Sequence, residues 1–166
     1  MGLFDIFKKK RIEIDLNDEI TKLIAHGILF EEDAAFLYWN EPVAEIRKRI
    51  NVTEKLFADR VVYHWGEHII LNGLKFNLTT IFWYNDPDSE GKRFRSIEFQ
   101  TDNSDDTDLY STQIKAHIGN NFKAGVNKEI TDTSEYFEWL VGEVKLSLYT
   151  YEKYSVRKLK FEICKL

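Results

Sequence analysis

The chain has 166 residues, the size of one domain rather than two, and 43% of them are apolar, which excludes disorder over its whole length. Its 23 basic and 28 acidic side chains give a net charge of −5, so the strongly positive footprint of a nucleic-acid binder is missing. The single cysteine, Cys164, excludes an intrachain disulfide and points to a reducing compartment.

Residues 1–11 form an N-terminal tail ahead of a single α+β domain over 12–166. The tail places apolar residues, including Leu3 and Phe4, before Lys8, Lys9, Lys10 and Arg11. That order is the reverse of a secretory signal, and no run approaches the roughly 18 to 20 apolar residues of a membrane span, so a cytoplasmic address is expected. The same tail suits peripheral contact with an anionic membrane, Leu3 and Phe4 inserting while the three lysines meet the head groups.

Ile12, Ile14 and Leu16 alternate as in a short strand, and Asn17-Asp18 caps a helix carrying Ile20, Leu23 and Ile24, which Gly27 ends. Further helices are expected over 31–39 and from Pro42, where Val43, Ile46 and Ile50 recur at helical spacing, so the N-terminal third is expected to be helical. Residues 51–72 stay open between helix and strand: Asn51 and Glu54 resemble a capping box, whereas Val61-Val62-Tyr63 favours strand. From Leu74 the period is two, with Phe76, Leu78, Thr80 and Phe82 on one side, and alternation resumes over 93–101 to complete a hairpin. A helix carrying Tyr110, Ile114, Ile118 and Phe122 follows, ending at Gly119-Asn120. Asp132 and Glu135 suggest a short helix bearing Phe137, Leu140 and Val141, closed by Gly142. Residues 143–151 and 156–166 make a second hairpin, with Val144, Leu146 and Leu148 facing Leu159, Phe161 and Ile163. The expected fold is therefore α+β: a mostly antiparallel sheet of four or more strands from two similar hairpins, with helices on one face.

His64-Trp65-Gly66-Glu67-His68 matches H-x-x-E-H and resembles the zinc motif of the inverzincin metallopeptidases over these five residues. The resemblance implies zinc on His64 and His68 with Glu67 activating water, the chemistry of a zinc-dependent hydrolase. Gly66 and the flanking Val61-Val62 and Ile69-Ile70 pairs disfavour the helix this needs, and on a strand the two imidazoles would lie about 13 Å apart. Asp102, Ser104, Asp106 and Asp108 alternate like the first half of an EF-hand calcium loop, but Thr107 and Gln113 replace its glycine and its bidentate glutamate. A capped helix start explains them better. No nucleophile elbow, glycine-rich phosphate loop or reactive-cysteine context is present, so neither a catalytic centre nor a cofactor is expected. Basic clusters at Arg47-Lys48-Arg49, Lys92-Arg93-Arg95 and Arg157-Lys158-Lys160 are interspersed with carboxylates, and nucleic acid is not expected as a partner.

Aromatic residues make up 14% of the chain, and Trp39, Trp65, Trp83, Tyr84, Tyr149 and Tyr151 are candidate anchors for a protein partner. The sequence thus points to a non-catalytic, cytoplasmic protein-binding domain. A toxin-neutralising, immunity-type protein exemplifies that class, because a small acidic domain suits capping a basic enzyme, although no family signature carries the label.

Overall fold

The computed structural model describes residues 20–86, 91–101, 104–122 and 124–166. The tail, the alternation at Ile12 to Leu16 and the Asn17-Asp18 cap lie outside them. The architecture is mostly β, which corrects the α+β expectation. Eight strands form one antiparallel sheet, and β1 (Gly27–Phe30) and β2 (Ala35–Tyr38) form a separate hairpin. The sheet comprises β3 (Thr53–Leu56), β4 (Arg60–Ile70), β5 (Leu74–Trp83), β6 (Ser96–Thr101), β7 (Val126–Ile130), β8 (Ser134–Val141), β9 (Val144–Lys153) and β10 (Val156–Lys165). Its order is β3-β4-β5-β6-β10-β9-β8-β7, two four-stranded meanders joined through their last strands. β5 and β9, whose sequences look alike, thus occupy corresponding places, as do β6 and β10.

The N-terminal third is not helical. Among its described residues, helix is confined to α1 (Ile20–His26) and the four-residue α2 (Val43–Ile46). In place of a helix over 31–39, the chain turns at Ala34, whose φ is 49°, and returns as β2, with Ile28 opposite Leu37. Gly27 is the first residue of β1 rather than a left-handed helix stop. Pro42 stands just before α2, and Val43, Ile46 and Ile50 are all buried as their spacing predicts. Residues 51–72, left open by the sequence, are β3, β4 and the turn into β5. The segment bearing Phe137, Leu140 and Val141 is strand β8, because Trp139 and Val141 alternate inward against Leu146 and Val144 while Leu140 points out. Thr131 hydroxyl and amide contacts to Ser134 close the β7–β8 turn where a capping box was expected.

One face of the sheet carries the core. Leu74, Phe76, Leu78, Thr80 and Phe82 of β5 alternate inward as expected, continuing into Ile97 and Phe99, then Phe161 and Ile163, then Leu146 and Leu148. α3 (Ser104–Asn121) lies on this face, burying Ile114 and Ile118 and setting Tyr110 against Phe76 and Phe99. Register places the intervening residues of each strand on the opposite face, over which no described helix packs.

The β9–β10 turn holds Tyr154 and Ser155 at φ 55° and 59°, a conformation that suits Asn-Gly far better. Tyr154→Asn with Ser155→Gly should therefore raise stability by about 1 kcal/mol, read as a later urea midpoint with an unchanged slope.

Candidate interaction surface

The HWGEH string lies in the middle of β4. His64 pairs with Thr79 and Gly66 with Leu78, so Trp65 is the extra residue of a bulge, and Gly66 sits at φ 91°. One extra residue flips the side chains that follow. His68 falls opposite buried Phe76 on the core face, whereas His64 falls on the other face, so the two imidazoles point away from each other across the sheet. His68 is stacked on Phe30 at 3.9 Å, with Nε2 2.8 Å from the Trp65 carbonyl and Nδ1 3.2 Å from Asp33 Oδ2. Glu67 pairs with Lys75 at 3.0 Å. Burial and the Lys55 charge hold the His64 imidazole below its ordinary range. Among the described residues, no three His, Cys, Asp or Glu side chains converge to hold a metal.

The calcium pattern falls largely on a helix. Asp106 and Asp108 belong to α3, Asp108 pairs with Arg157 at 3.1 Å, and Thr107, buried between them, reaches the Arg157 carbonyl. Asp102 lies outside the described residues, as do Leu3, Phe4, Lys8, Lys9 and Lys10 of the proposed membrane contact. Among the described residues no helix is long and apolar enough to cross a membrane. Arg47, Lys48 and Arg49 pair with Glu54, Glu45 and Glu41. Burial pushes the Cys164 thiol up, which leaves it a poor nucleophile.

The aromatic candidates divide. Trp65 is only 3% exposed and gives its indole N–H to Thr80 Oγ1 at 2.9 Å. Trp39 is stacked on Phe94 and donates to the Ile24 carbonyl at 2.7 Å. Both hold the interior, because the bulge turns Trp65 to the core and the β2 end docks Trp39 beside it. Trp83 and Tyr84 stand exposed at one corner of the sheet, and Tyr149 and Tyr151 lie far from them on the open face.

There Tyr149 and Tyr151 stack at 4.9 Å, and Tyr136 of β8 meets Tyr149 edge-on at 6.4 Å. Beside the rings Lys160 bridges buried Glu98 at 2.8 Å and Glu162 at 3.1 Å, while the Tyr136 hydroxyl donates to Glu138 at 2.7 Å. The result is a strip of stacked and edge-on rings beside paired charges. Sequence reasoning missed Tyr136 because its segment was assigned to a helix; its alternation with Glu138 and Leu140 was the available signal.

Burial, then Glu138, pushes the Tyr136 phenol up to about 12, and burial with Glu54 does the same for Tyr63. A raised phenol stabilises the fold fully below its unfolded value of 10.0 and loses that contribution as pH climbs toward 12. Two late-ionising tyrosines should therefore appear in a 295 nm titration, with stability declining over that window, and Tyr136→Phe should remove one of them.

No protein-family model, no curated protein and no solved structure matches this chain.

Proposed function

We propose that this chain is a non-catalytic protein-binding domain that holds its partner on the open sheet face through Tyr136, Tyr149 and Tyr151. The observation that carries this reading is the stacked Tyr149–Tyr151 pair on a face with no described helix over it. Tyrosines fixed by neighbours offer large contact area with little further loss of side-chain freedom. The ion pairs of Lys160 with Glu98 and Glu162 supply a polar rim. A net charge of −5 favours a basic partner, of which a toxin enzyme held by an immunity-type protein is one class, and the lone Cys164 fits a cytoplasmic setting.

The test compares the full chain with the Tyr149→Ala/Tyr151→Ala double variant, each immobilised and exposed to native cell extract. A specific protein retained by the first and at least about tenfold depleted on the second is the expected result. Equal retention on both removes the open face from consideration.

A further inference from the structure

We propose that the interface between α3 and β9 is a binding site for one water molecule, which bridges the hydroxyls of Ser111 and Thr150. Among the described residues, Ser111 Oγ and Thr150 Oγ1 are the two buried side-chain polar atoms without a hydrogen-bond partner. The residues are only 3% and 1% exposed. A hydroxyl enclosed without a partner shifts the folding equilibrium against the native state by roughly tenfold or more, so two of them on facing elements call for a shared ligand that both donates and accepts. Water does both.

Placement brings the two hydroxyls together. Thr107 Oγ1 donates to the Arg157 carbonyl of β10 at 3.2 Å, and Lys115 Nζ donates to Glu135 of β8 at 3.3 Å. β9 lies between those two strands, so α3 crosses it midway from Thr107 to Lys115, which is at Ser111. The spans agree: eight helical residues rise about 12 Å, and strands flanking a third lie roughly 10 Å apart. On β9 the register sets Thr150 opposite Glu135 and Glu152 opposite Arg157. Glu152 is exposed, which leaves Thr150 as the residue beneath Ser111. Space is available there, because α3 sets Ile114 and Ile118 on the sheet further along, whereas Thr107 and Ser111 are smaller. Carbonyls of the helical turn keep a second lone pair, so the water can complete the three hydrogen bonds typical of a buried position. Ion pairs close the site from outside: Arg157 Nη1 lies 3.1 Å from Asp108 and Nη2 3.9 Å from Glu135.

Thr150→Val keeps the side-chain shape, so the sign of its effect is decisive. Loss of a hydrogen-bonded hydroxyl raises the unfolding equilibrium constant, whereas loss of an unpaired one lowers it. A rise of about fivefold is expected in urea titrations of the full chain. Water-oxygen magnetic relaxation dispersion should show one fewer long-lived internal water in Thr150→Val and in Ser111→Ala, and Thr150→Ser should restore the wild-type number. Circular dichroism identifies a variant that fails to fold; Ser111→Ala, which favours helix, then carries the water count. A Thr150→Val chain at least as stable as the wild type, a water count that either substitution leaves unchanged, or a count that Thr150→Ser does not restore would each overturn the proposal. None of these outcomes bears on Tyr149 and Tyr151, which face the other side of the sheet.

Discussion

Trp65→Ala is expected to destabilise the chain by about 3 to 5 kcal/mol, the range for truncating a fully enclosed large aromatic side chain. Trp65 is the bulge residue of β4, and its ring sits edge-on to Phe30 at 6.3 Å and to Phe94 at 6.0 Å. It therefore ties the β1–β2 hairpin and the segment leading into β6 to β4. Removing the indole opens a cavity that three separate elements line, and these cannot all move inward at once. Trp65→Phe separates packing from hydrogen bonding. It keeps most of the ring and loses only the bond to Thr80 Oγ1, a hydroxyl still bonded to the Ser96 carbonyl at 2.8 Å, so about 1 kcal/mol is expected. Trp83→Ala, on exposed surface, should cost less than about 1 kcal/mol in dilute solution. Urea unfolding of the three variants checks the order. A Trp65→Ala cost as small as that of Trp83→Ala would mean that this ring is not part of the core.

That contrast also explains what sequence could and could not disclose. Strands with one buried face announced themselves: β5 alternates over its whole length, and the β9–β10 hairpin sets Leu148 against Phe161 and Leu146 against Ile163. α3 was legible because Tyr110, Ile114, Ile118 and Phe122 repeat every four residues over a long stretch. Short elements failed. In β8 the outward Leu140 sits between inward Trp139 and Val141, and three consecutive apolar residues fit a helical face as well as a strand. The β1–β2 hairpin failed for another reason. Its turn needs a non-glycine residue, Ala34, at positive φ, so the usual Asn-Gly signal is absent. The surface suffered most, since side chains on β4 change faces at a bulge that composition does not reveal. That single inserted residue separates His64 from His68 and sends Trp65 inward. The outward-facing tyrosines on β9 were legible because strict alternation with Leu146, Leu148 and Thr150 leaves them only one face.

The same glycine-to-alanine change should act in opposite directions at two places. At Gly27 an added Cβ would lie 2.0 Å from the Leu37 carbonyl oxygen and 2.6 Å from the Phe36 ring, with backbone on one side and a packed aromatic on the other. Neither can yield without breaking the pairing of Gly27 with Tyr38. Because β1 also carries Phe30, stacked on His68 and set against Trp65, the strain reaches the core, and a loss of at least about 2 kcal/mol is expected. At Gly119 nothing stands within 4 Å of the added Cβ, and the position belongs to α3. Alanine there narrows the unfolded chain's freedom and favours helix, so stability should rise by about 0.5 to 1 kcal/mol. Thermal unfolding of the two variants at one protein concentration gives the signs directly. Gly27→Ala matching the wild type would show that β1 and β2 stand further apart than this close approach implies. The approach itself accounts for why a residue read from sequence as a helix stop is instead the residue that lets the first hairpin close on the sheet.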